Sequence, residues 1–137
     1  MTETKKNIFV IDDDPDIAHL IHYNLKKAGY NTSLIHSGLQ AIWEVSKEKR
    51  PDCILLDIMM PSPDGFELCD YLKSSEDYRD IPLIIISAKG SPQDIERALE
   101  LGADAFLPKP FPMDTLIKMV QRYAGSRRGE IRFPHLC

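Results

Sequence analysis

Hydrophobic positions along the chain gather into short, nearly continuous runs: Asn7–Ile11 (NIFVI), Thr32–Ile35 (TSLI), Cys53–Leu56 (CILL), Leu83–Ile86 (LIII) and Ala103–Leu107 (ADAFL). Runs this short, rich in Ile, Leu and Val, predict strands covered on both faces, as in a parallel sheet. Between them, apolar residues recur at helical spacing. Asp14 as cap and Pro15 in the first turn start a helix whose apolar side is Ile17, Leu20, Ile21, Leu25 and Ala28, and Gly29 stops it. A second helix is expected over about Gly38 to Glu48, with Leu39, Ile42 and Val45 inward and Trp43 as a packing residue. A third starts near Asp64 and turns Phe66, Cys69 and Leu72 to one side. A fourth follows Ser91-Pro92 with Ile95, Ala98 and Leu99, and the last begins near Pro112 with Leu116, Ile117 and Val120.

Strands and helices in strict alternation predict an α/β fold, a (βα)5 doubly wound five-stranded parallel sheet of the flavodoxin-like kind. Right-handed crossovers place helices on both faces. There is no internal repeat and no low-complexity segment. One domain is expected over residues 6–124, followed by a tail or truncated linker, 125–137.

Composition narrows the function classes. The chain has 137 residues, 43% hydrophobic and 28% charged, as in ordinary globular domains. Its net charge of −4 gives no general reason to expect direct nucleic-acid binding. Arg127, Arg128 and Arg132 in the tail stand against Glu130 and read as a solvated linker. No apolar stretch approaches the ~20 residues needed to cross a bilayer, and no signal-type run follows MTETKK. Cys53, Cys69 and Cys137 are irregularly spaced with no CxxC, which argues against a disulfide framework or zinc site and for the cytoplasm. His19, His22, His36 and His135 show no ligand spacing and read as surface or packing residues.

Ligands of such sheets bind outside the carboxyl ends of the strands. There the first strand ends in Asp12, Asp13 and Asp14, the third in Asp57 and the fourth in Ser87-Ala88, while Lys109 follows the fifth. Crowded carboxylates repel one another unless they hold a cation or stay in water. Oxygen ligands suit Mg²⁺, with Mn²⁺ as a substitute, whereas zinc would want His or Cys. A carboxylate beside a metal and a Lys is equipped for nucleophilic attack on phosphorus, and a Ser hydroxyl can donate to a phosphoryl oxygen.

The segments VIDDD, LLDIMMPSPDG, IIISA and ADAFLPKPF, in this order and spacing, resemble the receiver domain of two-component response regulators, the chemotaxis-type (CheY-like) fold. The resemblance covers about Lys6 to Ala124. It implies that Asp57 is the phosphoacceptor, that Asp12 and Asp13 position Mg²⁺ together with Asp57 and the backbone carbonyl of Met59, and that Ser87 and Lys109 contact the phosphoryl group. Phe106 occupies the aromatic switch position, and the Lys109–Pro110 bond is expected to be cis. The implied partners are a histidine kinase or histidine phosphotransfer protein as donor and a downstream protein target or attached effector domain. A face made by the fourth helix, fifth strand and fifth helix would change on phosphorylation, and it is also where the family commonly dimerises. PSPDG departs from the commoner Pro-Gly-aliphatic-Asp-Gly loop, and Phe106 lacks the hydroxyl a Tyr would bring.

The resemblance implies a signalling switch rather than a turnover enzyme. An aspartate-based phosphohydrolase is the rival, since it too uses Asp, Mg²⁺ and Lys. Against it, Asp16 stands where such enzymes usually carry Thr or Val, and neither a later acidic motif nor a cap domain is present. A degenerate receiver that only mediates protein contacts is a third reading, opposed by the presence of every chemical residue.

Overall fold

The computed structural model describes residues 5–45, 50–88 and 90–125. Its elements alternate as β1 (Asn7–Ile11), α1 (Pro15–Lys27), β2 (Asn31–Ile35), α2 (Gly38–Val45), β3 (Cys53–Asp57), α3 (Gly65–Ser74), β4 (Leu83–Ser87), α4 (Pro92–Glu100), β5 (Ala105–Pro108) and α5 (Met113–Ala124). The strands form one parallel sheet in the order β2-β1-β3-β4-β5. The expected doubly wound architecture is therefore present. The expected end of α2 at Glu48 and the expectations for the tail arginines, His135 and Cys137 lie outside the described residues.

The unbroken apolar runs have their cause in this topology. β3 and β4 are interior strands and are buried at every position. Ile54, Leu56, Leu83 and Ile85 face a cluster completed by α2, α3 and α4, while Cys53, Leu55, Ile84 and Ile86 face one completed by α1 and α5. Each fully buried Ile or Leu is worth about 1.5–3 kcal/mol relative to exposure. The edge strand β2 is covered less and starts on polar residues (NTSLI).

The helix starts follow the predicted chemistry. Asp14 caps α1 by accepting from the Asp16 N–H, and Ser91 caps α4 by accepting from Asp94 N–H. Asp64 and Glu67 form a reciprocal capping box at α3. Gly29, at φ +99°, takes the left-handed turn that ends α1.

Five packing expectations are corrected. Leu39 and Trp43 are about two-thirds exposed, and Leu20 and Leu99 are about half exposed. On α2 the buried side is Gly38, Ala41 and Val45. The small residues allow the helix to approach the sheet, so the helix is rotated by about one position from the expected face. Ala28 is the exposed cap residue of α1 rather than part of its apolar side. Cys53 and Cys69 are both buried.

Candidate functional site

The sheet order reverses direction at β1 and β3, and a crevice forms outside their carboxyl ends. β1 delivers Asp12 and Asp13 there, and β3 delivers Asp57. One carboxylate oxygen from each lies within 4.8 Å of the others. Asp12 and Asp57 are buried, and Asp13 is exposed.

Local hydrogen bonds orient the carboxylates. Asp12 Oδ1 accepts from the Asp14 N–H at 2.9 Å, and the Asp12 N–H itself donates to Ile35 O at 3.0 Å. Asp57 Oδ1 accepts from Met59 N–H at 3.0 Å. Gly65 lets the loop between Asp57 and α3 close back on the end of β3. A methyl group there would fall 2.3 Å from Ile58 Cα and 2.7 Å from Asp57 O.

Lys109 reaches the same crevice from the far end of β5. Its Nζ lies 3.0 Å from Asp12 Oδ2 and 3.5 Å from Asp57 Oδ2. Its backbone is fixed by an N–H bond to Ser87 O at 2.8 Å, which ties it to the end of β4. Ser87 is completely buried at that end. Lys109–Pro110 is cis, as expected, and Ser62–Pro63 is cis as well.

The electrostatics are those of an acidic site short of positive charge. Burial pushes the Asp57 carboxyl above its ordinary value. The Met59 N–H opposes this, the charge of Asp12 adds to it, and Lys109 opposes it. For Lys109 burial works against the ammonium, but the hydrogen bond and charge of Asp12, with the charge of Asp57, more than offset it and raise its pKa. Three carboxylates thus face one ammonium. The donors are all hard oxygens, and their spacing fits a divalent ion such as Mg²⁺.

Most of the residues expected from sequence therefore meet. Asp12, Asp13, Asp57 and Lys109 share the crevice. Ser87 borders it through Lys109. Met59 is about half exposed and is joined to Asp57 through its N–H. Phe106 stands apart from the charges. It is half-buried on β5, paired in register with Ile85, and packs against the α2–α3–α4 side of the core. Sequence reasoning missed a groove of about 400 Å³ beside Lys109, lined by Ile17, Leu20, Ala88, Pro110, Phe111 and Met113. The outward turn of Leu20 produces part of it, and that turn was hidden by a helical spacing that read Leu20 as core.

A doubly wound (βα)5 sheet with this acidic crevice and lysine defines a class of phosphoryl-accepting signalling domains. Residues 8–121 match the model of the response regulator receiver domain, and the chain belongs to that family. It is similar to the response regulator MprA of Mycobacterium avium, with 37% identity over 123 residues, 90% of this chain and 53% of the relative. It is also similar to the DNA-binding response regulator MtrA of Mycolicibacterium smegmatis, with 35% identity over 130 residues, 95% and 54% of the two chains. The chain thus spans about half the length of these relatives. Among solved structures, the receiver domain of a signal transduction histidine kinase from Syntrophus aciditrophicus superposes with a TM-score of 0.82 at 35% identity, covering 96% of this chain and 99% of that one. The receiver domain of a Pseudomonas aeruginosa sensor histidine kinase, with a magnesium ion coordinated in its active-site cleft, gives 0.81 at 30% identity, covering 90% and 100%. No helix among the described residues is long and apolar enough to cross a membrane.

Proposed function

We propose that this receiver domain takes a phosphoryl group onto Asp57 from a phosphohistidine on a histidine kinase or phosphotransfer protein. The observation that carries the reading is Lys109 Nζ held between Asp12 and Asp57 across the crevice. In the transfer an Asp57 carboxylate oxygen bonds to phosphorus as the donor's N–P bond breaks, and the electron pair of that bond leaves on the imidazole nitrogen. The product is an acyl phosphate.

Asp12, Asp13, Asp57 and the Met59 carbonyl are the proposed ligands of Mg²⁺, which when bound neutralises charge on the carboxylates and the phosphoryl oxygens. Lys109 exchanges its contact with Asp57 for one with a phosphoryl oxygen, and Ser87 donates its hydroxyl to another. Lys109 has little distance to travel, because its Nζ already lies 3.5 Å from Asp57 Oδ2. The groove beside Lys109 offers the donor an apolar seat next to the acceptor.

The output is proposed to run through Phe106 and the α4–β5–α5 face. Drawing Ser87 toward the phosphoryl group frees space for the Phe106 ring to turn inward, and the altered face binds a downstream target, an attached effector or a second copy. The domain acts as a switch that modifies itself once per signal, not as a turnover enzyme, and the proposed compartment is the cytoplasm. The organisation proposed is a receiver over 6–124 followed by a linker.

Incubation with acetyl phosphate and Mg²⁺, read by intact mass, tests this reading. One phosphoryl adduct per chain is expected, absent with chelator. Many turnovers of donor hydrolysis per chain would instead favour a phosphohydrolase.

A further inference from the structure

The acidic crevice draws its ligands from two separate segments, the end of β1 and the end of β3, and something must fix the distance between them. The β2–α2 junction touches both. On one side Ile35 O accepts from the Asp12 N–H at 3.0 Å. On the other, Gly38 lies flat against Pro63, in the loop that follows Asp57. A methyl group on Gly38 would fall 2.4 Å from the Pro63 carbonyl oxygen and 2.7 Å from Pro63 Cγ. Only a residue without Cβ can make that approach.

Neither wall can yield cheaply. The start of α2 is fastened on its own side: Ser37 Oγ accepts from Gln40 N–H at 3.1 Å, Gln40 Oε1 accepts from His36 N–H at 3.0 Å, and Ala41 N–H donates to Ser37 O at 3.0 Å. The loop is fastened at both ends, by Met59 N–H to Asp57 Oδ1 and by the Asp64–Glu67 capping box. The Pro63 ring fixes φ and removes one torsion by which the loop could give.

We propose that Gly38 is a positioning residue for the acidic site: it lets the β2–α2 junction hold the Asp12 backbone and the loop after Asp57 at one separation. Gly38 touches no ligand and acts only through Pro63 and Ile35. The inference rests on the reading above that Asp12, Asp13 and Asp57 hold Mg²⁺. It goes beyond that reading by assigning a role in the site to the β2–α2 junction, which carries none of the site's chemistry.

The test is a Mg²⁺ titration by calorimetry on the full chain, with thermal unfolding run beside it. Gly38→Ala is compared with wild type and with Gly29→Ala. Gly29 has a positive φ but open space around it, so its substitution strains the backbone at a turn remote from the crevice. Gly29→Ala is expected to lower Tm and keep wild-type Mg²⁺ affinity. Gly38→Ala is expected to bind Mg²⁺ about tenfold more weakly while folded, the scale seen when groups that orient metal ligands are lost. Backbone amide shifts over 12–14 and 57–64 should move, and those of α5 should not. A folded Gly38→Ala with wild-type affinity, or with a loss no larger than that of Gly29→Ala, overturns the proposal. If Gly38→Ala does not fold, Pro63→Ala decides, because it removes the ring packed on Gly38 without adding bulk. Weaker Mg²⁺ binding is expected, and unchanged binding overturns the inference. A wild-type chain that fails to bind Mg²⁺ overturns the site reading and this inference with it, and that result is in hand before any variant is compared.

Discussion

The two ends of the sheet each place a lysine among oxygen ligands, and they do so to opposite effect. At the amino end of β4 and β5, Lys73 Nζ donates to Arg79 O at 3.0 Å, Ile81 O at 2.8 Å and Asp104 Oδ2 at 3.0 Å. Asp104 Oδ2 also accepts from Leu83 N–H at 2.8 Å, and Asp104 O accepts from the Tyr123 hydroxyl. One cation meets one anion, and every donor of the ammonium is used. At the carboxyl end Lys109 meets two buried carboxylates, Asp12 and Asp57, and Asp13 is grouped with them as a third. The first arrangement is closed and ties α3, β4 and α5 together. The second is left with excess negative charge, which repels itself until a cation arrives. A balanced cluster holds the fold, and an unbalanced one stores the capacity to bind.

Substitutions should separate the two clusters, beginning with the largest effect. Asp57→Asn is expected to abolish the phosphoryl adduct in intact-mass measurements while the chain stays folded. Lys109→Met should slow adduct formation by about a hundredfold, the scale of losing one charge-stabilising donor in a reaction of this kind. Stopped-flow quenching with mass detection would check it.

At the base, Lys73→Met should leave phosphoryl uptake unchanged but cost about 2 kcal/mol in urea unfolding, because it strands two carbonyls and a half-exposed carboxylate. The sign should reverse at the crevice. Without metal, Asp57→Asn removes a buried charge that Asp12 repels, and it should raise stability by about 1 kcal/mol in the same assay. A metal-free Asp57→Asn chain that is less stable than wild type would break the comparison.

An effect confined to alkaline pH lies in the core next to the base cluster. Burial pushes the Cys69 thiol from 9.0 up to about 11, the Lys73 charge only partly opposing it. The folded state therefore keeps its proton after the unfolded chain has begun to lose its own. Stability is at its full value below about pH 9 and falls as pH rises toward about 11. Thermal unfolding across that range should show this part of the fall vanish in Cys69→Ala.

Much of this molecule was legible in the chain because two simple rules converge. Interior parallel strands must be apolar throughout, which made NIFVI, CILL and LIII stand out, and ligands gather at the strands' carboxyl ends, which brought Asp12, Asp57, Ser87 and Lys109 together. The helical faces were less legible. In α2, GLQAIWEV, apolar residues occupy so many positions that spacing alone fits two faces. The choice between them is made by Gly38 and Ala41, whose small size matters only against a neighbour that the sequence does not show. Leu20 and Leu99 follow the helical period and yet face outward, because the period marks a side of the helix and not how far the sheet beneath it extends. The base cluster gave little warning: Lys73 belongs to no motif, Asp104 lies in ADAFLPKPF without a role of its own there, and only the packing of α3 under β4 and β5 joins them.

The central claim is that the unbalanced carboxyl end accepts a phosphoryl group at Asp57. The most direct measurement is to phosphorylate the chain with acetyl phosphate and Mg²⁺, reduce the acyl phosphate with borohydride, and sequence the peptides by mass spectrometry. Homoserine at position 57 alone, and only in samples that contained Mg²⁺, is the predicted result. Reduction at another carboxylate, or an unmodified Asp57 in a folded chain with Mg²⁺ bound and donor in excess, would contradict it.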